Sequence, residues 1–236
     1  MSKSTTQNRR KKSGGTTKLS PLRSPSLSDL LEVMARLRSP TGCPWDREQD
    51  HRSLRFHAVE EVYELMDAID AGDDVEMLEE LGDLLLQVLF HCQLARERGV
   101  FDFEKVTRNL TDKLIRRHPH VFGDAKAKDV DAVWAQWEKI KRAEKKGTRH
   151  DRPSALDGIP KHLPSLLRAE KLSKKARKAG LMKPATTKTS ATKLGSMLFE
   201  IASVAQSKGL SAESLLRDEI RRREKALRRE ERRLQG

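Results

Sequence analysis

Apolar side chains recur every three or four residues along most of the chain, which is the spacing of one face of an α-helix. No segment alternates convincingly between apolar and polar residues with a period of two. Ser28 is a plausible cap for the first helix, and Asp102 for the helix that ends at Arg117. The predicted helices cover residues 28–38, 53–71, 75–98, 103–117, 131–146, 191–208 and 211–234. The sequence therefore predicts an all-α fold.

The same pattern predicts which parts of these helices are buried. Residues 81–90 are apolar on most sides, so we expect this stretch to be buried centrally. In the helix that ends at Arg117, the residues expected to face inward are Phe103, Val106, Leu110 and Leu114. The short break at residues 71–74, centred on Gly72, predicts an antiparallel hairpin between the helices on either side of it.

Composition suggests four regions along the chain. Residues 1–25 are basic and polar with almost nothing to bury, so we interpret them as a disordered tail. Residues 26–180 form the predicted main domain, and residues 181–191 have the composition of a linker. Residues 192–236 are predicted to be helical and highly charged. Residues 39–46 are predicted to form a turn-rich loop.

The net charge of +13 invites a nucleic-acid interpretation, but it is unevenly distributed. Residues 24–140 carry 24 acidic and 15 basic side chains, and Leu54–Asp83 contains eleven acids against the single basic Arg55. An acidic block of this kind is expected to bind cations, and would not by itself form a site for phosphates. The chain lacks a long apolar run, an apolar signal segment and a set of cysteines, so we expect a cytoplasmic protein that does not enter a membrane.

Four carboxylates of the acidic block are predicted to converge. Glu61 and Glu64 are spaced i, i+3 on one predicted helix, and Glu80 and Asp83 on the next, so each pair shares a helix face. The two pairs lie at equal distances from Gly72. An antiparallel hairpin therefore places Glu64 level with Glu80, and Glu61 level with Asp83.

Such a cluster predicts a metal site. Like charges repel, and Glu80 and Asp83 adjoin the most apolar stretch of the chain, so the arrangement is costly without cations. Ligation by carboxylates alone favours Mg²⁺, with Mn²⁺ as a possible substitute. Mg²⁺ often takes its remaining ligands from phosphates, which points to a nucleotide substrate. The alternative is a solvated acidic helix face.

A nucleotide substrate needs positive groups for its phosphates and a flat group for its base or ribose. Lys113 and Arg117 are spaced i, i+4, with Arg116 beside them. Lys141 follows Trp137 by four residues, and an indole can cover a base or ribose. Without the acidic cluster, each of these would be an ordinary surface cation or core aromatic residue.

Several short motifs resemble the MazG family of nucleoside triphosphate pyrophosphohydrolases. Glu60-Glu61-Val62-Tyr63-Glu64, followed after fifteen residues by Glu80-Leu81-Gly82-Asp83, matches the EExxE…ExxD signature of that family. The supporting stretches are Gly42-Cys43-Pro44-Trp45-Asp46, Arg116-Arg117-His118-Pro119-His120-Val121-Phe122 and Ala155-Leu156-Asp157-Gly158-Ile159-Pro160. They occur in the family's order and cover about residues 28–180.

The resemblance implies an antiparallel helical bundle of the MazG type, completed by dimerisation or higher assembly. It also implies Mg²⁺-dependent cleavage of a nucleoside triphosphate to a monophosphate and pyrophosphate. By position, the metal ligands are Glu61, Glu64, Glu80 and Asp83, and Glu60 is a candidate general base or supporting group. The implied nucleotide contacts are Lys113, Arg116, Arg117, Trp137 and Lys141.

A faint internal repeat suggests a second, degenerate MazG-like module. Leu194-Gly195-Ser196-Met197-Leu198-Phe199 aligns with Leu81-Gly82-Asp83-Leu84-Leu85-Leu86, and Lys193 and Ser196 replace Glu80 and Asp83. We expect residues 192–236 to be a remnant of such a module that binds no metal and serves in packing or dimerisation.

Two other functions remain open at this stage. The chain can be a catalytically weak or inactive nucleotide sensor or scaffold that uses the same pocket without turnover. It can also bind nucleic acid through its basic tails, which the lack of aromatic residues in those tails disfavours.

Overall fold

The computed structural model describes residues 26–184, 186 and 188–235, and every regular element in these residues is helical. The helices are α1 (Leu27–Leu37), α2 (Pro44–Glu48), α3 (His57–Ala71), α4 (Asp74–Glu97), α5 (Phe103–Arg117), α6 (Pro119–Phe122), α7 (Val130–Ala143), α8 (Ser165–Lys178), α9 (Ala191–Ser207) and α10 (Ala212–Gln235). A 3-10 turn at Ser53–Arg55 precedes α3. The all-α prediction is confirmed. The predicted tail at residues 1–25 lies outside the described residues.

Local structure departs from the sequence predictions at several places. Ser26, rather than Ser28, caps α1, and its backbone N–H donates to the Asp29 carboxylate at 2.6 Å. The predicted loop at residues 39–46 contains the start of α2, because Pro44 occupies a first-turn position that suits a helix. Helices α6 and α8 were not predicted.

The described residues form two compact units, which divide between Ile115 and Arg116. The division lies well before the predicted linker at residues 181–191. In the second unit α8 packs against α10, although the sequence placed these helices in different regions. The assignment of residues 26–180 and 192–236 to separate modules stays a prediction.

The first unit is built around the α3–α4 hairpin. Gly72 ends α3 with a positive φ of 67°, a conformation that favours glycine. Asp73 then caps α4, and its carboxylate accepts from the backbone N–H groups of Val75 and Glu76 at 3.0 and 3.1 Å. Two residues thus reverse the chain and fix the alignment of the two helices, as the break around Gly72 predicts.

A small apolar core lies at the end of the hairpin that is far from Gly72. It consists of Met34, Leu54, Phe90 and Leu94. Beside it, the Arg38 guanidinium makes two hydrogen bonds to the Glu97 carboxylate, at 2.8 and 2.7 Å. This bidentate pair joins the end of α1 to the end of α4.

The predicted burial of this unit is wrong in two places. In α4, buried apolar residues begin only at Leu89, whereas Leu81 and Leu85 are exposed. In α5, Leu110 and Leu114 are also exposed. The reason is the small number of neighbouring helices within this unit, where α4 packs mainly against α3 and α1.

The second unit is held together by α8, α10 and the loop between α7 and α8. Its apolar core contains Leu156, Leu172, Ala176 and Ile220. Buried or half-buried ion pairs surround the core, including Arg168 with Glu224 at 2.6 Å. The buried carboxylate of Glu231 accepts from the backbone N–H of Ala155 at 2.6 Å. Within the described residues, no helix has the length and apolar character that crossing a bilayer requires.

Candidate metal and nucleotide site

Three of the four predicted metal ligands converge on the α3–α4 hairpin. One carboxylate oxygen from each of Glu61, Glu64 and Glu80 lies within 4.8 Å of the other two. Their exposure to solvent differs: Glu80 is buried, Glu61 is half-buried and Glu64 is exposed. Side chains on α3 and α4 therefore meet across the hairpin, with one side of the group open to solvent.

The charges of the cluster act strongly on one another. Burial raises the pKa of Glu80, and among its charged neighbours Glu64 contributes most to that increase. Burial also raises the pKa of Glu61, and here Asp83 is the strongest charged neighbour. In both cases the strongest repulsion comes from an acid on the opposite helix of the hairpin.

Asp83 and Glu60 lie around this group. Asp83 is half-buried, and its negative charge acts on both Glu61 and Glu80, although it is not one of the three residues that lie within 4.8 Å. Glu60 is exposed and faces His57, with 3.6 Å between its Oε2 and the His57 Nδ1. The metal-binding role of the four carboxylates and the catalytic role of Glu60 stay predictions.

The donor set suits a hard divalent cation. All three converging groups offer oxygen, and no histidine or cysteine takes part. Mg²⁺ and Mn²⁺ prefer such ligands, and a bound cation would offset the repulsion that, together with burial, raises the pKa values of Glu61 and Glu80. An open side would leave room for waters or phosphate oxygens to complete the coordination.

Sequence reasoning missed Gln87, which lies directly behind the cluster. Its side-chain Nε2 donates to Glu61 Oε1 at 3.2 Å, and Gln87 is only 7% exposed. Gln87 follows Asp83 by four residues and Glu80 by seven on α4, so all three share one helix face. That spacing was the available signal.

Four of the predicted nucleotide contacts lie in the second unit. Arg116 and Arg117 both bind the carboxylate of Glu144, at 2.9 and 2.6 Å. The Arg117 guanidinium carbon also lies 5.8 Å from the centre of the Trp137 ring. The predicted cations are therefore paired with an acid that sequence reasoning did not single out.

Trp137 and Lys141 complete this group on α7. The Trp137 ring packs edge-on against Trp134 and His118, and its buried Nε1 has no hydrogen-bond partner among the described residues. Lys141 lies 3.6 Å from Glu138. The fifth predicted contact, Lys113, is half-buried on α5 in the first unit. The nucleotide-binding role of all five residues stays a prediction.

Several cations lie near Lys141. Burial lowers the pKa of Lys145, and the charges of Arg152, Lys141 and Arg117 lower it further, although Glu144 opposes this change. Burial also lowers the pKa of Lys175, and although Glu138 opposes this change, Lys141 and Arg152 add to it. Crowded cations of this kind make a local environment that favours an anion.

Comparison with known proteins places these residues in a family. The MazG nucleotide pyrophosphohydrolase domain matches residues 49–122, which contain all four clustered acids. An uncharacterized 26.1 kDa protein from Streptomyces cacaoi is 43% identical over 194 residues, which are 81% of this chain and 76% of the relative. The chain belongs to the MazG family.

Two other MazG relatives are longer than this chain; the first carries a functional name and the second is uncharacterized. The nucleoside triphosphate pyrophosphohydrolase of Escherichia coli (strain K12) is 47% identical over 152 residues, which are 64% of this chain and 57% of the relative. The protein YabN of Bacillus subtilis (strain 168) is 48% identical over 147 residues, which are 62% of this chain and 29% of the relative. This MazG chain thus matches only part of the length of these two relatives.

Proposed function

We propose that this protein is a Mg²⁺-dependent nucleoside triphosphate pyrophosphohydrolase, which cleaves an NTP or dNTP to the monophosphate and pyrophosphate. The observation that carries the proposal is the convergence of Glu61, Glu64 and Glu80 within 4.8 Å in a chain of the MazG family. Several relatives are named for this activity, including those of Escherichia coli and Mycobacterium tuberculosis. Mn²⁺ is a suitable substitute, because it accepts the same oxygen ligands.

The carboxylates have distinct tasks in this proposal. Glu61, Glu64 and Glu80 would hold the cation, and Asp83 would complete the ligand set beside Glu61. Mg²⁺ at this site would offset part of the negative charge of the triphosphate and lower the pKa of an attacking water. Glu60 would accept the proton of the attacking water. Its exposed position on α3 gives it access to solvent, which then carries the proton away.

The basic residues serve the nucleotide. Lys113, Arg116, Arg117 and Lys141 contact phosphate oxygens, and Trp137 packs against the base or ribose. Arg116 and Arg117 are bound to Glu144 in the described structure, so phosphate has to compete with this carboxylate for them. We expect Glu144 to keep both guanidinium groups oriented until the substrate replaces it.

A product analysis tests the proposed activity. Purified protein is incubated with Mg²⁺ and a panel of NTPs and dNTPs, and monophosphate, diphosphate, phosphate and pyrophosphate are resolved. We expect monophosphate and pyrophosphate in equal amounts, and a loss of roughly 10²-fold or more in kcat for Glu80→Gln, because a buried ligand of the cation is removed.

Matched variants sharpen this test. Glu79→Gln removes an exposed acid beside Glu80 on the same helix and should leave turnover unchanged. Glu60→Gln should lower kcat roughly 10²-fold without changing Mg²⁺ affinity if Glu60 is the base. Folded protein that binds a triphosphate but forms no product would favour the sensor or scaffold alternative. Equal activity of Glu80→Gln and wild type would contradict the proposed site.

Assembly is part of the proposal, because two apolar stripes on the hairpin lack cover within the described residues. Val59, Val62, Met66 and Ile69 form one stripe on α3, and Leu78, Leu81, Leu85 and Val88 form the other on α4. All eight side chains are at least 36% exposed. Their alternating spacing of three and four residues is that of helices that pack in bundles. We propose that a second copy of the hairpin covers these stripes.

A further inference from the structure

Gln87 is a buried polar residue that the proposed chemistry does not use directly. It lies on α4 among apolar neighbours in sequence, between Leu86 and Val88, and is 7% exposed. Burying an amide is unfavourable unless its polar atoms are hydrogen-bonded. A leucine at this position would suit the apolar stretch better, so the amide needs a specific explanation.

The hydrogen bond to Glu61 supplies that explanation. Gln87 Nε2 lies 3.2 Å from Glu61 Oε1. An ionised carboxylate can only accept hydrogen bonds, so the NH₂ group of the amide, rather than its oxygen, has to face Glu61. Gln87 therefore donates a hydrogen bond to one of the two oxygens of Glu61.

The second polar atom of Gln87 is unusual. Its Oε1 is buried and has no hydrogen-bond partner among the described residues. The amide thus makes one hydrogen bond to a predicted metal ligand and leaves an acceptor available to a donor such as water. Nε2 and Oε1 lie in one planar amide group. The orientation that lets Nε2 donate to Glu61 therefore also fixes the direction of Oε1.

We propose that Gln87 is a positioning residue for the metal site, which holds the Glu61 carboxylate in a fixed orientation so that its remaining oxygen faces the cation. This inference rests on the proposed metal site of the MazG hairpin. Partners that orient a metal ligand typically change metal affinity by 10- to 100-fold when they are removed. Gln87 does not touch the substrate and is not a catalytic residue.

The test measures Mg²⁺ binding by titration calorimetry on the full chain, so that it does not depend on turnover. Gln87→Leu keeps the side chain close to its original size but removes the donor. We expect its affinity for Mg²⁺ to fall roughly tenfold. Thermal unfolding without metal shows whether the variant folds, and Gln87→Asn, which keeps an amide, should retain more of the affinity than Gln87→Leu.

The chain offers a matched control on the same helix. Gln93 also donates to a glutamate, with 2.9 Å between its Nε2 and Glu97 Oε1, but that pair lies outside the acidic cluster. Gln93→Leu should leave Mg²⁺ affinity unchanged. If Gln93→Leu weakened Mg²⁺ binding as much as Gln87→Leu, the effect would be a general consequence of altering α4, and the proposal would be wrong.

A double-mutant comparison separates positioning from packing. If Gln87 acts through Glu61, Gln87→Leu should change Mg²⁺ affinity little once Glu61→Gln is present. Additive effects would overturn the proposed route through Glu61. Wild-type affinity in folded Gln87→Leu would contradict the role of Gln87 alone, whereas a wild-type protein that binds no Mg²⁺ would contradict the metal site itself.

Discussion

At the scale of single residues, the crowding of carboxylates on the hairpin opposes folding when no cation is bound. Glu80 is buried next to other acids, and burial together with the charge of Glu64 raises its pKa. A carboxyl whose pKa is raised by folding destabilises the folded state when it is ionised. The metal-free protein should therefore gain stability when this charge is removed.

Glu80→Gln tests this reasoning through opposite effects on stability and binding. At pH 7 without metal, the variant should have a higher Tm than wild type, and the difference should disappear as the pH falls below about 4, where an unperturbed glutamate is protonated. Mg²⁺ should raise the Tm of wild type and leave that of the variant unchanged. Glu79→Gln, at an exposed position, is the control. A lower metal-free Tm in folded Glu80→Gln would show that Glu80 stabilises the hairpin.

Sequence reasoning was effective at this scale where chemistry depends on spacing within helices. The i, i+3 pairs and their equal distances from Gly72 were sufficient to predict that Glu61, Glu64 and Glu80 lie close together. It failed for Gln87 and Glu144, because neither residue type is distinctive. Their importance depends on which acid or base lies opposite, and tertiary packing decides that.

At the scale of elements, the positions of the helices along the sequence were easier to predict than the burial of their side chains. Helix α4 was correctly placed, yet Leu81 and Leu85 are exposed although they belong to its most apolar stretch. The helical period shows where apolar side chains lie on one helix, but not whether a neighbour covers them. Helix α8 was missed because its sequence is largely basic and small, so its apolar face is narrow.

The pair between Arg38 and Glu97 allows a prediction about how α1 is attached to α4. Hydrogen bonds from Arg38 hold the pKa of Glu97 below its ordinary value. Stability from the pair should be complete above the ordinary glutamate pKa of about 4.3, and should be lost as the pH falls through the lowered value. We expect Glu97→Gln to lower the free energy of unfolding by about 1 kcal/mol at pH 7, because Glu97 is partly exposed and solvent weakens the pair.

Unfolding in urea at a series of pH values measures this effect. The difference between wild type and Glu97→Gln should shrink towards zero in acid. Glu104→Gln is the control, because Glu104 forms an exposed pair with Arg108 one turn away on α5, and such pairs contribute little. A difference that is the same at pH 7 and in acid would mean that the charge of Glu97 does not act through Arg38.

At the scale of the whole molecule, the exposed stripes of α3 and α4 are the feature that one chain leaves unexplained. Each stripe contains four large apolar residues at bundle spacing, and a solvated surface of this size is unfavourable in a monomer. The carboxylates of the candidate site lie on the same two helices. Covering the stripes would therefore also fix the hairpin that carries the proposed metal ligands.

Ile69→Glu and Leu85→Glu test whether a second copy covers the stripes, because each places a charge in one stripe without touching the acidic cluster. We expect light scattering after gel filtration to give at least twice the 26.9 kDa chain mass for wild type, and the single-chain mass for either variant. Val130→Glu changes an exposed apolar residue outside the two stripes, in the first turn of α7, where an acid is compatible with the helix. It should leave the assembly unchanged. A monomeric wild type, or variants that assemble like wild type, would exclude these stripes as the interface.

Because both stripes belong to the hairpin that holds Glu61 and Glu80, a dissociated variant should also bind Mg²⁺ more weakly. Calorimetry on the same samples would measure this loss of affinity.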